Sequence, residues 1–230
     1  LRGHTPPPDQ AVVLAIEKQS AQYFGLKQQP YKWPRSLHAT TVERLTAMGA
    51  TAICFDMFFE ETRSSADDSL FAEAMHNSGN VVLLQRVKEI DSTNYTLKSN
   101  HTPVHSEQLI PPVSLLEHAS FALAPLPLPQ KPVRVNQSWL FKEGTGNQAT
   151  LPFVMFAMVV SPLFDKFLQI VKLSDPSLAT RYKSLFSNER HTIRIDTFLQ
   201  DLRSVFLVEQ QLEAKILGPL SNGQFDYLLD

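Results

Sequence analysis

The first half of the chain alternates between short apolar runs and helical patterns, an arrangement typical of an α/β fold. Three apolar runs, Ala11–Ile16, Thr51–Phe55 and Val81–Leu84, are continuous enough to predict strands that are buried on both faces. A helical pattern separates each run from the next. The resulting order β-α-β-α-β, with crossovers of this length, predicts parallel strands joined by right-handed connections.

Each of the two predicted helices has a start signal and a stop signal. Ser36 and Asp67 are residue types that cap helix N-termini. Gly49 and Gly79 allow the left-handed conformation that often ends a helix. Apolar residues at helical spacing predict the buried faces: Leu37, Thr41, Leu45 and Met48 in the first helix, and Leu70, Phe71, Ala74 and Met75 in the second.

The pattern weakens after the third run. Residues 88–132 contain seven prolines and scattered polar residues, so we expect an irregular linker with one short helix near 115–119. Beyond it the sequence predicts, in order, an edge or antiparallel strand at 133–141, a turn at 143–148, helices over 152–186, a short strand at 191–195 and an amphipathic helix at 196–216.

These elements predict one domain with an α/β fold. Its first half, residues 9–86, would form a three-layer-like core with mainly parallel strands. The linker would follow over 88–132, and a mixed helical and antiparallel part would occupy 133–230.

Charge and composition exclude some classes of function. The 21 basic and 23 acidic residues give a formal net charge of −2, so the chain lacks the basic field that nucleic-acid binding requires. The most apolar window, 150–171, is interrupted by two prolines and by Asp165 and Lys166. We therefore do not expect it to span a bilayer, which takes about 20 apolar residues.

Two acids follow predicted strands and are the first candidate site. Glu17 follows the first strand and Asp56 follows the second, and ligands of open α/β sheets bind beyond the carboxyl ends of the strands. Together they could bind a cation or the amine of a small ligand. Alternatively, they accept hydrogen bonds from loop or helix N–H groups and fix the loop geometry.

The segment around Trp33 and Arg35 is the second candidate. Trp33 could supply an aromatic wall and Arg35 a fork-shaped anion binder. The alternative is structural: Ser36 caps a helix and Trp33 packs on the sheet. If both candidates bind a ligand, the predicted site comprises Glu17, Trp33, Arg35 and Asp56.

Three other motifs carry little weight. The string Gly144–Ala149 matches a dinucleotide fingerprint, but no βαβ unit surrounds it, so a turn is favoured. His101 and His105 have metal-ligand spacing, but Pro103 makes a helix there improbable. Cys54 lies mid-strand without a local base and is a poor nucleophile. No metal or cofactor is predicted.

Several segments resemble a known family by their order and spacing. They are Pro6–Glu17, Trp33–Ala39, Arg44–Glu60, Ala66–Leu70 and Ser78–Leu83. Together they resemble the CHASE type-2 (CHASE2) domain, an extracytoplasmic sensory domain of bacterial membrane receptors. The similarity is thinner over 133–160, and the family's usual closing strand, with a Gly-Lys-aliphatic sequence, is not found in 163–230.

The resemblance implies a sensor located in the periplasm or outside the cell, as part of an inner-membrane protein. Transmembrane helices would flank it in the full-length receptor, and a cyclase or kinase output would lie in the cytoplasm. It further implies a homodimer, an unidentified small-molecule or periplasmic protein ligand, and no catalysis in this chain. The alternatives are a ligand-free dimerisation module and a small α/β hydrolase with Asp56 and Glu17 as acid and base.

Overall fold

The computed structural model describes residues 10–91, 105–128, 138–186, 194–208 and 214–216. The chain divides into two compact units, a first one that ends at Pro34 and a second one that begins at Arg35.

The first unit contains short helical segments and, over residues 10–34, no strand. Helix α1 spans Lys18–Tyr23, and a 3-10 turn spans Pro30–Lys32. The predicted strand Ala11–Ile16 is wrong, because this segment has no regular secondary structure and Val13 is 89% exposed. An apolar run becomes a strand only when a neighbouring strand accepts its backbone hydrogen bonds, and the run itself carries no information about that neighbour.

A parallel sheet of three strands forms the centre of the second unit. Strand β1 spans Ile53–Phe55, β2 spans Val81–Asp91 and β4 spans Ala122–Pro125. β2 lies in the middle and pairs in parallel with both β1 and β4. Beyond the parallel part, β2 continues as an antiparallel ribbon with β3, which spans His105–Ile110.

The helices of this unit are α2 (Arg35–Ala47), α3 (Ser65–Ser78), α4 (Ser114–Ala119), α5 (Leu151–Val160), α6 (Phe164–Ser174), α7 (Pro176–Phe186) and α8 (Ile195–Val208). Residues 214–216 are also helical. A small hairpin of β5 (Phe141–Lys142) and β6 (Gln148–Ala149) precedes α5.

Alternating residues of the sheet supply two separate cores. Val81 and Leu83 of β2 belong to a cluster with residues of α2, α3 and α4, such as Val42 and Phe71. Val82 of β2 belongs to a second cluster with residues of α5–α8. Successive side chains of a strand point to opposite faces, so the sheet is the middle of three layers. This confirms the predicted α/β fold with mainly parallel strands and a mixed second part.

The structure corrects several element predictions. The end of β2 and the whole of β3 and β4 lie in the stretch 88–132, which we expected to be irregular. Ser36 is the second residue of α2, and Ser64, not Asp67, caps α3. Ile195 begins a helix and does not belong to a strand. The short helix α4, the turn at 143–148 and the helices over 152–186 are confirmed.

Some predictions fall outside the described residues. Residues 133–137 of the predicted strand at 133–141 are among these, and only Phe141 of that segment lies in a described strand. Residues 191–193 and the stretch 209–213 also lie outside.

One helical stretch of the described chain passes the length and composition test for a membrane span. It runs over Leu151–Leu173 with a mean hydropathy of 1.6, and 22% of its most apolar window is buried. The stretch consists of α5, the 3-10 turn Ser161–Leu163 and α6, and it contains Asp165 and Lys166. Length and composition alone are weak support for a span, and the sequence-based expectation that it does not cross a bilayer stays a prediction.

Candidate functional site

The loop that follows β1 lies at the carboxyl edge of the parallel sheet, where ligands of α/β proteins bind. We call residues 56–64 the strand-end loop. It runs from Asp56, directly after β1, to Ser64, the N-cap of α3. The Ser64 hydroxyl accepts a hydrogen bond from the Asp67 N–H at 3.4 Å.

The inner side of the loop is held by a buried ion pair. The guanidinium of Arg35, the first residue of α2, donates to Asp68 Oδ1 of α3 at 2.8 Å. The same guanidinium donates to the carbonyl oxygen of Glu61, and Asp68 Oδ2 accepts from the Arg63 N–H at 2.9 Å. Two side chains, from two different helices, therefore fix the backbone of the strand-end loop.

The ion pair is almost completely removed from water. The side chains of Arg35 and Asp68 are 2% and 5% exposed. Burial lowers the pKa of Arg35, and the charge of Asp68 and its hydrogen bond act in the opposite direction. A pair at this depth loses much solvation energy, so removal of either partner leaves the other as an uncompensated buried charge.

The outer side of the loop is held by two further contacts. Glu60 accepts two hydrogen bonds from Arg86 of β2, at 2.6 and 2.5 Å. The carbonyl oxygen of Phe59 accepts from the Val113 N–H, just before α4, at 2.8 Å. The loop thus contacts α2, α3 and the start of α4 as well as β2. It therefore connects this helical layer with the sheet.

An aromatic cluster lies beside the ion pair and encloses a histidine. The imidazole of His38, one turn after Arg35 in α2, lies 5.5, 5.8 and 5.7 Å from the rings of Phe55, Phe59 and Phe71. His38 is 4% exposed. Burial, together with the positive charges of Arg35 and Arg63, lowers the pKa of His38 to about 4. The imidazole is therefore neutral near pH 7.

In contrast, the rim of the loop is open to solvent. Asp56 is exposed and Phe58 is 48% exposed. Within the part of the chain that the structure describes, the Asp56 carboxylate makes no hydrogen bond, so it does not fix the loop in the way the structural alternative required. An exposed carboxylate and an exposed aromatic ring are both groups that can bind a cationic or amine-bearing ligand.

The four predicted site residues divide between the two units. Glu17 is exposed and precedes α1, so it does not end a strand. Trp33 is buried, and its indole N–H donates to the Lys27 carbonyl oxygen at 2.7 Å. Arg35 and Asp56 belong to the second unit, and the shared rim of Glu17 and Asp56 stays a prediction.

Sequence reasoning missed the buried role of Asp68. The signal is in the spacing. Arg35, His38, Ala39 and Val42 recur at i, i+3, i+4 and i+7, and all four are buried. The same spacing gives Asp68, Phe71, Ala72 and Met75, also buried. One cation and one acid, each at the start of a buried stripe, could have been predicted to pair.

The other motifs make no site in the described residues. Burial raises the pKa of the Cys54 thiol to about 12, with a smaller contribution from the charge of Asp56, so the thiol is a poor nucleophile. Gly144 and Gly146 lie in the turn between β5 and β6. No group of three His, Cys, Asp or Glu side chains within the described ranges could hold a metal ion. Residues 101–104 and the side chain of His105 lie outside these ranges.

Comparison with models of protein families identifies the family of this chain. The model of the CHASE2 domain matches residues 1–213 of the 230-residue chain. The chain belongs to the CHASE2 domain family. CHASE2 is a family of extracytoplasmic sensory domains of signalling receptors, and it is a sensor family and not a catalytic one.

No curated protein and no solved structure matches the chain. The family match covers both compact units and the strand-end loop of this CHASE2 domain.

Proposed function

We propose that this CHASE2 domain is the ligand-sensing input of a transmembrane signal-transduction receptor. It lies on the periplasmic or extracellular side of an inner membrane and binds a small molecule or a periplasmic protein. The change passes through flanking membrane helices to a cytoplasmic cyclase or kinase. The observation that carries the proposal is the family match over residues 1–213, because the family is sensory.

The strand-end loop is the input element in this proposal. Its rim, with Asp56 and Phe58, is exposed to a ligand, and its inner side is tied to α2 and α3 by Arg35 and Asp68. A ligand that binds one arrangement of the loop better than another shifts the population of the two. A coupling of about 1–3 kcal/mol is sufficient for an ordinary allosteric response.

The location of the domain is tested by the accessibility of an engineered cysteine in the full-length receptor. Met48 directly follows α2 and is 83% exposed, so a Met48→Cys variant offers a reactive thiol. We expect a membrane-impermeant maleimide to label this variant in intact cells.

The unchanged receptor is the matched control. The single cysteine of this domain, Cys54, is partly buried and its thiol has a raised pKa, so the domain should stay unlabelled without the new thiol. Labelling of Met48→Cys only after the cells are lysed would place the domain in the cytoplasm and refute the proposal.

The proposed receptor is a homodimer, and the exposed face of α5 is the surface we assign to the contact. Pro152, Phe156 and Val159 of α5 are exposed at intervals of four and three residues, as in a helix-pairing seam. Leu163, in the 3-10 turn that follows, is also exposed. From Leu151 to Phe164 the chain has no charged residue, so two copies of this seam meet without like-charge repulsion.

A Phe156→Ser substitution tests this contact. Burial of a phenylalanine side chain contributes about 1.5–3 kcal/mol, so the dimer dissociation constant should rise at least about tenfold. Sedimentation equilibrium of the chain measures it, with Met48→Ser as an exposed apolar control that should leave the constant unchanged. A wild-type chain that remains monomeric, or equal effects of the two substitutions, would contradict the assignment.

A further inference from the structure

A loop of the first unit exposes three aromatic side chains to solvent. Tyr23 is 85% exposed, Phe24 53% and Tyr31 55%. The rings of Tyr23 and Phe24 pack edge to face, with centroids 5.0 Å apart. We call residues 23–32 the aromatic–lysine loop. Large aromatic rings that a loop exposes together mark an interaction surface more often than single exposed residues do.

The loop is a formed structure that holds these rings outward. Gly25 turns the chain with a φ of +64°, and the Leu26 N–H donates to the Ala21 carbonyl at 2.8 Å. Trp33 is 4% exposed, and its hydrogen bond to the carbonyl of Lys27 closes the loop. Trp33 is thus buried, whereas Tyr23, Phe24 and Tyr31 remain exposed.

The charged residues around the aromatic–lysine loop are all basic. No acid occurs between Glu17 and Glu43, while Lys18, Lys27 and Lys32 are all exposed. The ammonium of Lys32 lies 5.6 Å from the ring centroid of Tyr31. The whole chain has a net charge of −2, so this stretch is a basic surface on an otherwise slightly acidic protein.

We propose that the aromatic–lysine loop docks on an anionic phospholipid surface. Tyrosine rings and lysine side chains are the groups that settle at the headgroup level, with the ring in the interface and the ammonium among the phosphates. A fluid lipid surface adapts to projecting rings and needs no complementary groove. The charge of the loop is complementary to anionic headgroups. The inference goes beyond ligand sensing and does not depend on it.

Vesicle co-sedimentation of the full 230-residue chain tests the proposal. We expect binding to phosphatidylcholine vesicles that contain about one third phosphatidylglycerol, and much weaker binding to phosphatidylcholine alone. The double variant Lys27→Gln/Lys32→Gln should lose about fivefold in partitioning per lysine, because each cation near an anionic surface contributes about 1 kcal/mol. The double variant Tyr23→Ser/Phe24→Ser should also bind several-fold more weakly.

Matched variants of the second unit are the controls. Lys88→Gln/Lys172→Gln removes two exposed lysines, and Met48→Ser/Leu70→Ser removes two exposed apolar side chains. Both should bind as the wild type does, and circular dichroism checks that every variant is folded. Equal binding to neutral vesicles, or equal losses in the controls, would overturn the proposal. Loss with the lysine variant but not with the aromatic variant would also overturn it, since that result indicates a general anion site such as one for an acidic protein.

Discussion

Replacement of Arg35 by alanine should lower the free energy of unfolding by about 3–5 kcal/mol. The substitution leaves the Asp68 carboxylate buried without its ion-pair partner, while the hydrogen bond from the Arg63 N–H remains. It also frees the carbonyl of Glu61 from its donor. Urea unfolding of the chain, followed by circular dichroism, measures the loss.

An exposed ion pair provides the comparison. Arg181 donates to Asp201 at 2.5 Å, but the two side chains are 55% and 30% exposed. Arg181→Ala should therefore cost no more than about 1 kcal/mol. The double variant Arg35→Met/Asp68→Leu should be more stable than either single alanine variant, because no unpaired charge remains. If Arg35→Ala were no more costly than Arg181→Ala, the buried pair would not be the anchor of the strand-end loop.

Acid should destabilise the chain through His38. Its pKa is 6.5 in a solvated chain and about 4 in the folded protein, so folding favours the neutral imidazole. The sign follows from linkage: the stability contributed by this group is complete above pH 6.5 and is lost as the pH falls toward 4. The pKa difference corresponds to about 3 kcal/mol over that window.

The contribution of His38 is isolated by comparing two variants. His38→Leu removes the titrating group from the aromatic cluster, and His76→Leu removes an exposed histidine of α3. The unfolding free energy of His38→Leu should fall less between pH 6.5 and pH 4 than that of the wild type, whereas His76→Leu should follow the wild type. Parallel curves for all three proteins would show that His38 is not held neutral by its surroundings.

The sequence predicted the α/β class because the signals for it are local. Apolar runs gave β1 and the first part of β2, and Gly79 ends α3 in the left-handed conformation with a φ of 63°. The buried face of α2 was placed out of phase: Met48 is 83% exposed and His38 is buried. Because the buried face of α2 contains a polar residue, hydrophobic spacing alone does not identify that face.

The misplaced strands have a different cause. Strand formation depends on partners that are distant in the chain. The run at 11–16 is apolar enough for a strand, yet the structure leaves it exposed, while the short β4 pairs with β2 and is wholly buried. A strand of four residues is too short to show a clear hydrophobic periodicity, and β4 lies in a proline-rich stretch, so the sequence did not predict it.

The candidate site also combines features with a local sequence signal and features that depend on residues distant in the chain. Asp56 was predicted because it directly follows a buried strand, which is a local signal. Arg35 was also predicted as a site residue, but its pairing with Asp68 was not, since the pair joins residues 33 positions apart. The buried pair explains how an exposed rim could be coupled to two helices, and this coupling is the basis of the proposed sensing mechanism.

The central claim is tested most directly by the output of the full-length receptor. Asp56→Ala removes the exposed carboxylate of the strand-end loop, and Glu73→Ala removes an exposed carboxylate of α3 outside it. With membrane levels of the two variants matched, we predict that Asp56→Ala strongly reduces the stimulated output of the attached cyclase or kinase and that Glu73→Ala leaves it unchanged. Equal outputs from both variants would contradict a sensory role for the loop and would favour a ligand-free dimerisation module.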